Sequence, residues 1–561
     1  MNYSVLFKNE KWFYPLLLLQ FFIMTSCSKE KENNPEIGNM TFKLESEDLD
    51  CSKDGNYLVP FSGKTYTISV NASENVKWNV DVTSKDLMTV NIEGEQSGNG
   101  TIELTATPNP EKIAGRTATV IINSTVKDTK RTFIFEQKEK ELLIPEGTEG
   151  QSTADFQNPS SKYNIHYMKE GDHVAIFWDK SLGLRPTRFD EDRAIEEADK
   201  AFIFLQNDMG FANKTNSYAN KYKFLIFINK EDQWGAYGGG DNYVGKVWLG
   251  PNHLEESERN NAYCIFYHEM CHCFQAMAQW DGAAAMGGPI NELTSQYAIL
   301  CRYSNWMEID PSRVQRYLNL THLGIDHEGL GYRGPWILEY WDWKHGPKFV
   351  SRIWTEAIDN DNSDFIACYQ RLTEQNQEQF CDELFDAQRR FITWDIPRIK
   401  EGSKGYASKH TCKLKKETNN QYIISPSFCP QNYGYNGIKL NLPESNNKIE
   451  ILLTGYLNNN NYKIKNKDEA GWHFGLVSVT NSNECIYSDV IKVVNNNNGK
   501  LSYEVPENTK ELWLVVSATP TKHRKHIIDQ ELGENNDQRI YQQWPYKITL
   551  FGTTVNEKFI E

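Results

Sequence analysis

The sequence predicts a multidomain protein: an N-terminal β-sandwich, a central α+β domain and a C-terminal β-sandwich. Three observations predict this. The chain has 561 residues, too many for one hydrophobic core. Short apolar–polar alternations fill residues 40–139 and return after about residue 405, as half-buried strands do. Between them, apolar strand-length runs mix with longer segments of helical spacing. Hydrophobic residues make up 39% and charged residues 24%, a globular balance. A formal net charge of −15 is a poor match to phosphate backbones, which argues against nucleic-acid partners.

The elements follow in order. Lys8 and Lys11 precede an apolar run from Trp12 to Met24, broken by Pro15 and Gln20. It is too short and too interrupted to span a bilayer and reads as a signal peptide over residues 1–26. Met24-Thr25-Ser26-Cys27 resembles a bacterial lipoprotein box, with Met where Leu is usual. The resemblance implies cleavage before Cys27, lipidation of Cys27, and a charged tether over residues 27–39. The style resembles that of Bacteroidetes lipoproteins displayed on the outer membrane. No later segment reaches 18 apolar residues, so the expected membrane contact is the lipid anchor only.

In residues 40–139, the runs Thr65–Val70, Val76–Val80, Thr101–Ala106, Ala118–Ile122 and Thr132–Gln137 suggest a sandwich of about 100 residues. The Trp78-Asn79-Val80 strand, the Gly98-Asn99-Gly100 turn, Arg116 before an apolar strand, and a Phe-rich last strand ending in Gln137 resemble the BACON domain. That resemblance implies a spacer or a glycan-contacting module. Residues 140–161, rich in Glu, Pro, Gly and Ser, form a linker.

The central domain, residues 162–402, begins with a strand at 174–178 and an amphipathic helix at 190–208. A buried strand at 223–228, a glycine run at 238–240 and a strand at 243–249 follow. Next comes a Gly- and Pro-free, largely apolar stretch, 259–280, that contains His268-Glu269-Met270-Cys271-His272. On a helix, residues four apart share a face, so two imidazoles can reach one Zn²⁺ at about 2.0–2.1 Å. Glu269 sits close enough to take a proton from water at the metal. Polar groups on a helix this apolar need a partner or a metal.

A catalytic zinc keeps three protein ligands and one open position. After Gly287-Gly288, Pro289 suits a first helical position, and Asn291-Glu292 opens the helix it would start. Glu292 can also simply complement the helix N-terminus. H-E-x-x-H, a spacer of nineteen residues, then Asn-Glu resembles the gluzincin metallopeptidases. The resemblance implies a zincin-like fold, Zn²⁺ on His268, His272 and Glu292, Glu269 as general base, and hydrolysis of peptide bonds. It also implies an edge strand that binds extended substrate, for which residues 243–249 are the candidate. An oxyanion-stabilising Tyr or His is expected later in the chain; Tyr332 is the first candidate, with His345 and His327 as others. One position departs from the pattern: Gln296 stands where an acid often orients a ligand histidine, and Asp281 is a possible substitute.

Residues 405–561 carry Asn-rich turns between strands at 448–453, 474–479, 512–516 and 546–550, which predicts a jelly-roll-like sandwich. His523 and His526 fall in a basic turn. The chain shows no C-x-x-C; Cys264, Cys271 and Cys273 read as buried apolar residues, and a Cys412–Cys429 pairing stays open. The whole implies a surface-tethered zinc peptidase, expected to be an endopeptidase, acting on extracellular proteins or glycoproteins. The alternative is an inactive zincin-like surface protein that binds glycans, suggested by the two sandwiches, the 12% aromatic content and Gln296.

Overall fold

The computed structural model describes residues 40–45, 55–59, 63–107, 116–126, 129–137, 155–525 (apart from 157, 165, 213, 445–446 and 496) and 542–561. Cys27, the signal peptide and tether, most of the 140–161 linker, and His526 lie outside the described residues.

The N-terminal region is built from two sheets. One orders Met40–Glu45, Lys64–Ala72, Gly100–Ala106 and Met88–Val90; the other orders Tyr57–Val59, Arg131–Gln137, Arg116–Ser124, Lys77–Val82 and Gln96–Ser97. Their inward residues, such as Ile68, Ile102, Val120 and Phe135, form one core, because alternate side chains of each strand face the opposite sheet. The Gly98-Asn99-Gly100 turn has a packing reason. The Trp78 indole N–H donates to the Gly98 carbonyl at 2.8 Å, and a Cβ on Gly100 would lie 2.6 Å from the indole ring. Arg116 donates from Nε to Gln137 Oε1 at 2.9 Å, which ties the last two strands together.

The central sheet holds β1 (Met168–Glu170), β2 (Val174–Trp178), β3 (Phe224–Ile228), β4 (Tyr237–Asp241) and β5 (Val244–Leu249), in the order β1-β2-β3-β5-β4. β2, β3 and β5 are parallel, whereas β1 and β4 run antiparallel to their neighbours. β2 and β3 are buried at every position, which is why they read as unbroken apolar runs. One face packs on helices through Ile176 and Ile226; the other covers a smaller cluster with Phe177 and Phe227.

This order corrects one expectation. The segment 243–249 is not the edge strand: β5 is interior, paired with β3 on one side and β4 on the other. The edge belongs to the glycine run itself. A Cβ on Gly238 would lie 2.0 Å from the Glu269 carbonyl oxygen, and one on Gly240 would lie 2.3 Å from the Trp280 ring. The strand is glycine-rich because a helix lies directly against it.

Helix α1 (Glu191–Ile203) starts at Asp190, whose carboxylate accepts from the Asp192 and Arg193 N–H groups. The 259–280 stretch is not one helix. α2 (Pro251–Asn260) ends at Asn261, which takes a left-handed φ of 50°, and α3 (Cys264–Trp280) starts afresh. α4 (Ile290–Arg302), α5 (Pro311–Leu318), α6 (Trp336–His345) and α7 (Gln377–Phe391) complete the frame of the site.

The C-terminal region again has two antiparallel sheets. One orders Leu414–Lys416, Gln421–Ile424, Tyr546–Phe551, Lys448–Gly455 and Asn498–Glu504; the other is centred on Thr509–Ala518 and Gly471–Thr480. All ten residues of Gly471–Thr480 are buried, because α7 covers the outer face of that strand. His473 Nε2 lies 2.8 Å from Asp382, Phe385 packs on the His473 ring, and Arg389 donates to the Ser488 carbonyl at 3.0 Å. One hydrophobic cluster therefore runs from Val174 to Phe559, across the 402/405 boundary expected from composition. Cys412 and Cys429 are buried as free thiols.

His410 sits at this junction. Its Nε2 lies 2.8 Å from the Tyr435 hydroxyl, and burial pushes its pKa down to about 3. The unfolded value is about 6.5. Between the two, the unfolded chain binds a proton that the folded chain refuses, so stability falls as pH drops through this window. The slope from one such residue is about 1.4 kcal/mol per pH unit. Urea unfolding at pH 7 and pH 5 should show a smaller acid loss for His410→Gln than for the parent chain.

Candidate metal centre

α3 and α4 pack side by side and bring the motif residues to one point. His268 and His272, one turn apart on α3, present their Nε2 atoms 3.2 Å and 3.6 Å from Oε2 of Glu292, on the first turn of α4. Ligand atoms of the three residues all lie within 4.8 Å of one another. Tetrahedral bonds of about 2.05 Å place neighbouring donors roughly 3.3 Å apart, close to the two distances seen here. Glu292 Oε2 is also buried without a hydrogen-bond donor in good geometry, although two imidazoles face it. A divalent cation would satisfy it, so the donor set fits zinc.

The shifts at these residues come from burial and from one another. Burial opposes ionisation of Glu292, but the neighbouring His268 and His272 outweigh it and hold the carboxyl well below the usual range. Burial pushes the Glu269 carboxyl up, and the same two imidazoles pull it part of the way back. His272 is opposed by burial but drawn up overall by Glu292. Glu269 is 6% exposed, and its backbone lies under Gly238 of β4, so the edge strand passes directly over the residue expected to act as base.

Tyr332 comes from the loop between α5 and α6. Its ring stacks on His268 with centroids 6.0 Å apart and planes 18° apart, and it remains 43% exposed. A Cβ on the preceding Gly331 would lie 3.2 Å from Glu292 Cβ, a tight contact that brings the loop close against the first turn of α4. Burial, then the Glu292 carboxylate, pushes the Tyr332 hydroxyl up and keeps it protonated as a donor. Arg313 stands over the same ring at 5.4 Å and donates to the Tyr332 carbonyl at 3.2 Å.

The other candidates lie elsewhere. His345 Nε2 contacts the Tyr369 hydroxyl at 2.7 Å and Glu383 at 2.8 Å, inside the helical region. His327 Nδ1 accepts from the Gly329 N–H at 2.9 Å and caps a short turn. Asp281 accepts from the Tyr218 N–H at 3.1 Å rather than approaching a site histidine. The groups behind the histidines are amides: Gln296 Nε2 lies 3.1 Å from His268 Nδ1, and Gln275 Oε1 lies 2.9 Å from His272 Nδ1. Ser295 Oγ adds a longer contact to His272 at 3.3 Å. Gln275 and Ser295 were not singled out from the sequence, although Gln275 falls three residues after His272 on the same helical face.

Among the described residues, then, a mixed α/β chain of several sheets carries a single three-residue cluster able to hold a metal. The chain belongs to the family of unknown function DUF6055, whose profile matches residues 134–557. No curated protein matches the sequence. The similar solved structures include a xylan-binding domain of carbohydrate-binding module family 22, at 12% identity over 26% of this chain and 81% of that one, with a TM-score of 0.16. Another is a functionally unknown conserved protein from Bacillus anthracis str. Ames, in mutant form, at 12% identity over 65% of this chain and 75% of that one, with a TM-score of 0.23. Likenesses this weak carry no argument.

Proposed function

We propose that the protein is a zinc-dependent peptidase of gluzincin type, tethered through Cys27 to the outer membrane and hydrolysing peptide bonds of extracellular proteins or glycoproteins. The observation that carries this reading is the convergence of His268, His272 and Glu292, with Glu269 in the same helical turn and Tyr332 stacked beside it. Bound zinc would supply a Lewis acid that polarises the scissile carbonyl and lowers the pKa of water toward about 7. Glu269 takes the proton of the attacking water and passes it to the leaving amine. The Tyr332 hydroxyl donates to the oxyanion as charge develops. β4, the edge strand over Glu269, offers its free side to extended substrate by strand addition.

The test is metal analysis of the purified chain together with hydrolysis of unstructured protein substrates. One zinc per chain is expected, with activity lost to chelator and restored by zinc. Because zinc binds only the folded site, free zinc at 100 times its Kd should add about 2.7 kcal/mol of stability, seen as a fall in Tm on chelation. Absence of stoichiometric metal would sink the reading.

One observation favours the second reading, a surface protein that contacts glycans. Trp234 is fully exposed, Tyr237 is 62% exposed, and Tyr243 at the β4–β5 turn stacks on Tyr218 at 4.3 Å. Such rings offer apolar faces to sugars as readily as to side chains. Glycan-array binding without proteolysis would support that reading over the first.

A further inference from the structure

The formal net charge of the chain is −15, yet three arginines gather where α5 meets the Tyr332 loop. Arg313 and Arg316 lie one turn apart on α5, and Arg333 directly follows Tyr332. Helix and loop are joined through the first of them. Arg313 Nη1 donates to the Tyr332 carbonyl at 3.2 Å, and its guanidinium stands 5.4 Å from the centre of the Tyr332 ring. The same ring stacks on His268, so Tyr332 links the arginines to the candidate metal ligands.

The protein neutralises this cluster only in part. Asp310 Oδ2 accepts from Arg313 Nε at 2.5 Å, and among the described residues it is the one carboxylate within ion-pair distance of the three. Arg333 Nη1 donates to an uncharged partner, the Gly329 carbonyl, at 2.5 Å. Arg316 is exposed and has no acid beside it. Burial, then the guanidiniums of Arg316 and Arg313, draw Arg333 below its ordinary value, so the like charges are close enough to oppose one another. Across the site, β4 passes over Glu269 as Gly238, Gly239 and Gly240. Its contact with an extended chain is through main-chain groups, which do not read side chains. Side-chain selection therefore falls to the Tyr332 face.

We propose that Arg313, Arg316 and Arg333 form a subsite for an acidic side chain of the substrate, so that the protein selects peptides with Asp or Glu near the bond to be cleaved. This inference rests on the reading of the site as a peptidase. Guanidinium forks match a carboxylate in geometry and stay charged at any physiological pH. From Arg313 across the Tyr332 ring to an oxygen held by its hydroxyl is roughly 10 Å, and an extended peptide rises about 3.3 Å per residue, which puts the acid within about three residues of the scissile bond. Arg313 keeps 33% of its side chain exposed, so each contact is partly screened and the three act as a set.

The experiment uses the full chain with zinc and fluorogenic peptides of one sequence, with Glu or Gln placed at each position in turn. The Glu-over-Gln ratio of kcat/KM should reach about 10-fold at one position within three residues of the cleaved bond, as a few partly screened charge-assisted contacts supply. It should fall as salt rises toward about 0.5 M. The ratio should approach one in Arg316→Gln with Arg333→Gln, and it should invert in Arg316→Glu with Arg333→Glu. A parent ratio near one at every position would overturn the proposal, and this measurement needs no variant to fold. A preference lost on amidation of the peptide C-terminus, and not on the Glu-to-Gln exchange, would overturn the choice of a side chain in favour of a chain end. Anisotropy of the same peptides on Glu269→Gln reads the subsite without hydrolysis, and tighter binding of the Glu peptides is expected there too. A parent chain that binds Glu peptides preferentially and cleaves none overturns the peptidase reading and leaves the acidic subsite. One that cleaves Glu and Gln peptides alike overturns this inference alone.

Discussion

Glu269→Gln should reduce peptide hydrolysis by about 10²–10⁴-fold, or roughly 2.7–5.5 kcal/mol of barrier, while leaving zinc stoichiometry and unfolding temperature near those of the parent. The asymmetry follows from the site. Glu269 is not one of the converging ligand atoms, so its loss as a base leaves His268, His272 and Glu292 in place. Gln keeps the length and hydrogen-bonding capacity of the side chain but cannot accept a proton. Its backbone, which supports the edge strand at Gly238, is unchanged. Rates on an unstructured protein substrate, with zinc measured on the same samples, separate the two effects. Full activity in Glu269→Gln would end the assignment of the base. Lost zinc in the same variant would move Glu269 from base to ligand support.

The site was more legible than the fold around it. His268, Glu269 and His272 stand at helical spacing within five residues, and Glu292 opens the next helix, so local pattern alone placed four of its residues on two adjacent helices. Tyr332 was one of three candidates, and only the packing of the Gly331 loop on Glu292 separates it from His345 and His327. The edge strand was missed because Tyr237–Asp241 has almost no side chains to alternate; its strand character comes from pairing with β5 and contact with α3, neither of them local. The break at Asn261 was hidden because an asparagine can adopt a left-handed φ without the Gly or Pro that usually signals a helix end. The shared core across residues 402–405 was hidden for a related reason. Composition changes there, but α7 and the strand Gly471–Thr480 bury their apolar faces on each other, and such burial has no local signature.

Arg398→Met should destabilise the folded chain by about 3–5 kcal/mol, more than the reverse loss, Glu339→Gln. Arg398 clamps the Glu339 carboxylate with two bonds, Nε to Oε1 at 2.9 Å and a closer one from Nη2, and Nη2 also donates to the Tyr297 hydroxyl at 2.9 Å. Tyr297 in turn donates to Asp342 at 2.6 Å. Glu339 side-chain exposure is 2%, whereas that of Arg398 is 38%. Removing the arginine strands a carboxylate that water cannot reach; removing the carboxylate leaves a guanidinium that can turn toward solvent. The double variant Arg398→Met with Glu339→Leu should recover much of the loss, because no buried charge is left unpaired. Urea unfolding of the three variants tests the order, and a loss below about 1 kcal/mol for Arg398→Met would put the pair among ordinary surface contacts. The network also reaches the candidate metal centre. Tyr297 lies on α4, which carries Glu292, and Glu339 and Asp342 lie on α6, which follows the Tyr332 loop. Loosening α4 from α6 should separate Glu292 from Tyr332, so zinc affinity should fall in Arg398→Met and return in the double variant.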